Sequence, residues 1–571
     1  MTPDQRPSPE RVGPRNRFFS KKLEAPPVRF VQEITDRQGL DQYAADKSSM
    51  AFGGATKVVK FDPDSPVELI ADTIRTHTRI VPVGGRTAVT GAASPDNEVV
   101  LDMAGRNKIL EWGEAKDGVK TIKVQTGIKI SALKEALERD GFYYPPAPTY
   151  EDATVGGTIG TNAAGAATFK YGQTRDWVEG LTVILPNGEL LDINRGDCVA
   201  KNGRFEWQDA DGNVHNIQVP TYRMPNVRKL AAGYYAKPDM DLVDLFVGAE
   251  GTLGVVTEAR LRVIDKPKIT WAMIPVDSEE KALALTARLR ERAKQAWTNK
   301  DPNGLDVSAI EYIDEKSLDL LREDSSVQHG ILPPPEAKTL LLVQMEMNGE
   351  NTENAEQHMD AFYKDKFPHL RDQGDEDIVV PDSPLTRFLR ELDDTTLDTI
   401  EVATPDKKDR IQHFIDMREA VPGGVNRRVV EKKNEEIASR GETTISKTAG
   451  DMIVPFRFLP DMMSLFRERF SEEYDMYIWG HVSDGNMHVN IVPKSSEQSS
   501  AAREILMECG KIVIDEYEGS PCSEHGVGKN PVKQALVGHM YKLLGIGQMR
   551  EVRRVFDPNG KMPQNILALA A

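Results

Sequence analysis

Asp152-Ala-Thr-Val-Gly-Gly-Thr-Ile-Gly-Thr-Asn-Ala-Ala-Gly165 decides the fold of this chain. It sets Gly156, Gly157, Gly160 and Gly165 among small residues, with no side chain able to do chemistry. Glycine permits positive φ and lets another molecule approach the main chain, so such a run is suited to presenting N–H groups to a phosphate. Its spacing is neither G-x-G-x-x-G nor G-x-x-x-x-G-K-[ST], which gives no support to dinucleotide Rossmann or P-loop binding. Alone, the run fits a small-residue turn as well as a cofactor loop. Two further clusters tip the balance, Val81-Pro-Val-Gly-Gly-Arg-Thr-Ala-Val-Thr-Gly91 upstream and Phe246-Val-Gly-Ala-Glu-Gly-Thr-Leu-Gly-Val-Val-Thr257 downstream. Three such loops imply one large ligand, a nucleotide cofactor.

Working outward, 58–61 and 79–83 read as strands around a helix with Val67, Ile70 and Ile74 on one face. Ser65 is its expected N-cap, Pro66 its first-turn proline and Glu68 its capping-box partner. This β-α-β unit delivers the chain directly into the first glycine loop. Residues 99–103, 121–125 and 181–185 are further strand candidates, and Ser131 is the expected cap of a helix through Leu133 and Leu137. The polar tract 194–237 is longer than a simple connection needs. It reads as an insertion, a surface excursion in preference to a cofactor cover or an interface.

From residue 269 the pattern becomes strand (269–276), helix (278–297), strand (306–314), strand (339–347), helix (352–367) and strand (377–381). That β-α-β-β-α-β order is ferredoxin-like and is expected to form a second, cap domain over the cofactor. A mostly helical tract, 384–440, follows, then a short strand at 451–455 and a helix at 458–470.

The chain has 571 residues, enough for two to three domains, and a net charge of -17 that argues against nucleic acid or an anionic membrane as the primary partner. Cys198, Cys509 and Cys522 lie too far apart in sequence for a disulfide framework or an iron–sulfur ligand set. A reducing cytoplasm fits best, with peripheral contact at an inner membrane left open. No apolar run reaches the roughly 18 residues of a membrane span, and no secretory signal is expected at the N-terminus. Residues 1–27, rich in proline and charge, read as a mostly disordered tail.

A second loaded stretch is Gly480-His481-Val-Ser-Asp-Gly-Asn-Met-His488-Val-Asn490, with Asp484-Gly485, a favoured two-residue hairpin turn, at its centre. That turn would set His481 opposite His488, their β-carbons about 5 Å apart on one face. A carboxylate to complete the set lies in Ser523-Glu524-His525-Gly-Val-Gly528. Two histidines and a carboxylate with an open position suit Zn, Mn or Fe. Hydrogen-bonded structural histidines are the competing reading.

Together with Tyr171-Gly-Gln-Thr-Arg-Asp-Trp-Val178, the three glycine loops resemble the flavin-binding half of the vanillyl-alcohol-oxidase-type FAD oxidoreductases. The resemblance implies an α+β fold: a tail over 1–44, a two-part PCMH-type FAD-binding domain over 45–268, a ferredoxin-like cap and substrate domain over 269–510, and a segment over 511–571 returning to the flavin. From the first loop it implies FAD contacts at Val83, Gly84, Gly85, Arg86, Thr87 and Gly91. The second region would add Pro146, Asp152, Thr154, Gly156, Gly157, Gly160, Thr161, Asn162, Gly165, Tyr171 and Gly172, and the third Glu250, Gly251, Gly254 and Val255. Relatives that attach FAD covalently use a His or Cys near these loops; neither occurs there, so non-covalent FAD is expected.

The histidine stretches resemble the D-2-hydroxyacid dehydrogenase branch of that family, with every fixed position of Gly-His-x-x-Asp-Gly-Asn-x-His-x-Asn and Glu-His-Gly-x-Gly present. The resemblance implies a divalent ion, zinc first, on His481, His488 and Glu524, with His525 as base and Asn490 orienting the substrate. Met417-Arg418-Glu419 resembles the family's Arg-Glu substrate motif, which makes Arg418 a carboxylate clamp, with an ordinary ion pair as the alternative. Lys447 is a second cationic candidate. The implied reaction is oxidation of a D-2-hydroxy acid of the lactate, glycolate or 2-hydroxyglutarate class, with electrons passed to a quinone, a cytochrome or an electron-transfer flavoprotein. An alkylglycerone-phosphate-synthase-like flavoenzyme and a non-catalytic flavin-binding subunit are the rivals; a homodimer is left open. The end, Asp557-Pro-Asn-Gly-Lys-Met-Pro-Gln-Asn565, departs from the family's Asn-Pro-Gly-Lys, which puts its contacts beside the flavin in doubt.

Overall fold

The computed structural model describes residues 16–26, 31–146, 148–324, 332–347, 349–371 and 378–567. It is a mixed helix and sheet fold. In the first half, the parallel strands Gly54–Lys60 and Ile80–Val83 flank Asp96–Asp102, and Gln32–Ile34 joins the Gly54–Lys60 edge in antiparallel register. Beside this sheet lies an antiparallel one in the order Leu190–Asn194, Val178–Ile184, Val255–Arg262, Lys120–Gln125 and Ile109–Glu114. The two meet where Ile184 and Val255 pack with Val59, Ile74 and Leu101. The helix Val67–Thr76 forms with the expected buried face, but Pro66 is its N-cap and makes no side-chain capping bond. Ser65 instead donates its hydroxyl to Asp62, so the anticipated capping box is absent. Likewise Lys129, not Ser131, caps the helix Ile130–Arg139.

Within the tail expected to be disordered, Arg17–Phe19 pairs in parallel with Arg204–Gln208 of the polar insertion, which is itself a hairpin with Val214–Gln218. Phe18 supplies the reason: it stacks on Trp207 and Phe556 and is buried. Residues 1–15 lie outside the described residues.

The second half carries an eight-stranded sheet. Its first four strands run Glu401–Ala403, Lys268–Val276, Thr339–Met347 and Val307–Asp314, all antiparallel, which is the ferredoxin-like order 4-1-3-2. The fourth strand is not the expected 377–381. Asp377 lies outside the described residues, Ile378–Pro381 has no regular structure, and Val379 is 81% exposed with no face to bury it. β-propensity without a buried face does not make a strand. Beyond the four, Asp475–His481, Asn486–Val492 and the short Thr448–Ala449 extend the sheet, and Met452–Ile453 pairs with Asn486–Val492 as its eighth strand.

Helices Ser496–Asp515 and Pro531–Phe556 follow. The chain then turns on Asp557, whose carboxylate accepts from the backbone N–H of Lys561 at 2.7 Å and Met562 at 3.0 Å. Ile80 donates its N–H to Lys561 at 2.8 Å, and Met562 enters the core of the first sheet. The departing tail sequence thus closes the sheet behind the first glycine loop. No described helix is long and apolar enough to cross a membrane.

Asp314 ends a fully buried strand and caps the helix Glu315–Glu323, accepting from Ser317 N–H at 3.0 Å. Burial pushes its carboxyl from an ordinary 3.8 up to about 6, against the hydrogen bonds from Ser317. The native state therefore holds the proton more tightly than the unfolded chain, and the associated stability is present below about pH 4 and lost as pH rises through 6. Asn caps nearly as well as Asp but does not titrate. Asp314→Asn is expected to match the wild type near pH 4 and to exceed it by roughly 1–3 kcal/mol near pH 7, measured by denaturant unfolding at both values.

Candidate functional site

The three glycine stretches converge on one cleft of about 320 Å³. Gly84 and Gly85 press on the second stretch so closely that an added Cβ would stand 2.1 Å from Thr154 Oγ1 or 2.7 Å from the Asp152 carbonyl. Thr154 caps the helix Val155–Thr161, its hydroxyl accepting from Gly157 N–H at 3.3 Å. The third stretch is tied on by Glu250 N–H, which donates to the Gly160 carbonyl at 2.8 Å, and by Gly248 N–H, which donates to Ile159 at 2.9 Å. Arg86 (φ 53) and Glu250 (φ 49) take the left-handed conformation that non-glycine residues adopt at a cost and that clusters at ligand sites. The cradle is backbone, kept bare by residues without bulk. That fits a phosphate-bearing cofactor.

Of the residues named for FAD, Val83 through Thr87, Thr154, Gly156, Gly157, Gly160, Thr161, Glu250, Gly251, Gly254 and Val255 line the cleft. The others have different placements. Asp152 pairs with Lys129 at 2.7 Å on the surface, and Pro146 is buried. Gly91 lies against Met50 and Phe52. Asn162 is a left-handed C-cap whose amide donates to Gln173 Oε1 at 2.8 Å and Leu230 O at 3.0 Å, and Gly165 N–H donates to Thr168. Gly172 caps a one-turn helix. Tyr171 donates to Glu346 of the cap sheet at 2.7 Å, beside Lys170 at 2.6 Å from the same carboxylate. Thr149 and Tyr150, not foreseen, line the cleft as well, together with Glu524 and His525.

The histidine hairpin forms, but in another register. Val482–Asp484 is a 3-10 turn closed by Gly485 at φ 81, so His481 pairs with Asn486 and His488 with Trp479. The pairing is displaced by two from the two-residue turn, and a slip of two leaves every side chain on its own face. The imidazoles therefore still meet, with ring centroids 5.5 Å apart. The longer turn carries Asp484 inward, where its Oδ2 lies 3.1 Å from Lys229 Nζ.

Glu524 is the hub. Its Oε1 lies 3.3 Å from His481 Nε2, 3.3 Å from His488 Nε2 and 3.5 Å from His525 Nε2, and its Oε2 lies 2.9 Å from Lys229 Nζ. His481 Nδ1 meets Glu311 Oε1 at 2.8 Å, and Arg418 meets the same oxygen at 3.0 Å while also donating to the Thr149 hydroxyl. Asp451 takes Lys533 at 3.1 Å, His525 Nδ1 at 3.3 Å and the backbone N–H of His525 at 3.1 Å. Asn490 is buried with its amide on the His488 carbonyl at 3.1 Å, and Lys447 donates to Asn426 at 2.9 Å. Lys229, Glu311, Asp451 and Lys533 were missed by sequence reading. Glu311 had a signal, a carboxylate set between apolar Ile310 and Tyr312.

Burial presses His481 down, but Glu311 and Glu524 outweigh it and hold the imidazole up at about 9. His525 is pushed down to about 4 by desolvation that Asp451 and Glu524 only partly offset. Burial raises Glu311 and Glu524, yet Arg418 and His481 bring Glu311 to about 2, and Lys229 and His481 hold Glu524 well below its ordinary range. His481, His488 and Glu524 each offer a ligand atom within 4.8 Å of the others. His488 Nδ1 is buried without a hydrogen-bond partner among the described residues. Two nitrogens and a carboxylate oxygen so gathered fit a divalent ion.

Residues 62–194 match the family model described as FAD binding domain, and 268–564 match FAD linked oxidases, C-terminal domain. D-2-hydroxyglutarate dehydrogenase of Stutzerimonas stutzeri is 26% identical over 94% of this chain and 96% of its own length. D-lactate dehydrogenase of Anaerostipes hadrus is 25% identical over 84% of this chain and 82% of its own. Among solved structures, alkyldihydroxyacetonephosphate synthase superposes with a TM-score of 0.56 at 13% identity, covering 95% of this chain and 86% of that one, a likeness of fold. Gly84→Ala forces Thr154 and the cradle apart, so FAD retention is expected to fall about tenfold or more at unchanged helix content, checked by flavin fluorescence release and circular dichroism.

Proposed function

Because the chain belongs to the FAD-linked oxidases, in the D-2-hydroxyacid dehydrogenase branch, we propose that it oxidises a small D-2-hydroxy acid to the 2-oxo acid. The observation that carries this reading is the meeting of three imidazole nitrogens around one Glu524 oxygen at the wall of the cleft. His481, His488 and Glu524 would hold a divalent ion, zinc first, and the cleft residues from Val83 to Val255 would hold FAD without a covalent bond. When bound, FAD supplies the acceptor for the hydride leaving the substrate Cα, and the ion supplies a Lewis acid that acidifies the hydroxyl.

The chain's own groups account for the rest. His525 is neutral at pH 7 and faces the cleft, so it can take the hydroxyl proton. Asp451, on its Nδ1, turns Nε2 toward Glu524 and the cleft. Arg418, on the helix Lys408–Arg440 and steadied by Glu311 and Thr149, is the clamp for the substrate carboxylate, with Asn490 on the histidine hairpin orienting the substrate. Lys447, one of whose donors is taken by Asn426, is the second cationic contact proposed for that carboxylate. The acceptor that reoxidises the flavin is a quinone, a cytochrome or an electron-transfer flavoprotein, and the substrate falls in the lactate, glycolate or 2-hydroxyglutarate class.

The deciding measurement is the anaerobic flavin spectrum under D- and L-2-hydroxy acids, with and without a chelator. Bleaching by a D-acid that the chelator abolishes is expected; a flavin that no hydroxy acid bleaches overturns the reading. His525→Ala should retain FAD and slow its reduction by about 10²–10⁴-fold.

A further inference from the structure

The polar insertion ends in a strap that enters the protein. Arg228 donates to the carbonyls of Thr168 at 2.9 Å and Lys170 at 3.0 Å. Leu230 N–H donates to Gln173 at 3.0 Å, and its carbonyl accepts from Asn162 at 3.0 Å. Ala231 N–H donates to the Cys522 carbonyl at 3.1 Å, two residues before Glu524. Between these anchors Lys229 is wholly buried, and its Nζ touches two carboxylates, Glu524 Oε2 at 2.9 Å and Asp484 Oδ2 at 3.1 Å.

We infer that Lys229 is a positioning residue for the divalent-ion site, which is the purpose of the insertion's inward turn. This rests on the metal reading above. The ammonium holds one Glu524 oxygen, so the other is left facing the Nε2 atoms of His481 and His488. By holding Asp484 as well, it links the segment that carries the carboxylate to the hairpin that carries both histidines. A charge whose neighbours fix its stem on both sides cannot swing away, so the orientation is built in. Partners that fix ligating carboxylates commonly govern metal affinity by 10–100-fold.

The test compares Asp484→Asn with Lys229→Met/Asp484→Asn, so that no carboxylate at position 484 is stranded by loss of the lysine. Each FAD-loaded protein is stripped of metal and titrated with zinc against a chromophoric chelator, with flavin spectrum and thermal melt as controls. The double variant is expected to bind zinc about 10–100-fold more weakly than Asp484→Asn. Equal or tighter binding by a normally melting double variant would make Lys229 a plain counter-charge and overturn the inference. Arg228→Ala, which loosens the strap from outside, should weaken zinc by several-fold with FAD kept; if the double variant loses FAD, this variant decides alone, and unchanged zinc affinity overturns the inference. A wild-type protein that binds no zinc overturns the metal reading and this inference together, which separates the two failures.

Discussion

A carboxylate taken out of water must be paired, and Glu524, 8% exposed, obeys that constraint through segments hundreds of residues apart. Its two oxygens are met by an ammonium from the insertion, two imidazoles from the cap hairpin and the ring of its own neighbour, His525. Apart from His525, none of those partners is supplied by the loop that carries it. Of the four strands beyond the ferredoxin-like order, Asp475–His481 and Asn486–Val492 acquire a purpose on this basis, since they bring His481 and His488 to Glu524. The carboxylates behind it repeat the pattern, with Glu311 paired to Arg418 and Asp451 to Lys533.

The cluster is fastened to the cleft by equally specific bonds. Glu250, in the third glycine stretch, accepts the N–H groups of Val527 and Gly528 at 2.8 Å each. Lys529 N–H donates to the Thr90 carbonyl beside the first stretch at 2.9 Å, and its ammonium donates to Ser94 at 2.6 Å. The loop that carries Glu524 and His525 is therefore gripped by two of the loops that build the cofactor cradle. On the other side, Lys170 and Tyr171 fix the FAD-binding half to Glu346 of the cap. Cradle and polar cluster thus share one frame although they come from different halves of the chain.

What the sequence made legible was local. Glycine runs announce a bare backbone wherever they fold, so the cradle could be read, and the alternation of the histidine hairpin could be read because face depends on parity alone. The hairpin's register could not. It follows from Asp484 turning inward to Lys229, a contact across 255 residues that no turn propensity encodes. The fourth strand of the cap was misplaced for a related reason: 378–381 has the propensity, but Glu401–Ala403 has the neighbour, Lys268–Val276. Lys229 itself sits in a polar tract, where a lysine reads as solvated. Its burial is decided by anchors at Thr168, Gln173 and Cys522, all outside that tract.

The same long-range pairing sorts the histidines. His481 and His525 both point a ring nitrogen at Glu524 and the other at a carboxylate, yet they are driven in opposite directions, to about 9 and about 4. The difference lies in how closely a carboxylate meets each ring and whether it outweighs the burial. Glu311 lies 2.8 Å from Nδ1 of the His481 ring, close enough to outweigh the burial that presses the imidazole down. Asp451 stands 3.3 Å from His525 and, with Glu524, only partly offsets the desolvation that presses this imidazole down. Two titratable groups whose surroundings push them apart take different roles. The one kept neutral faces the cleft, and the one anchored on Glu311 is fixed in place beside Glu524.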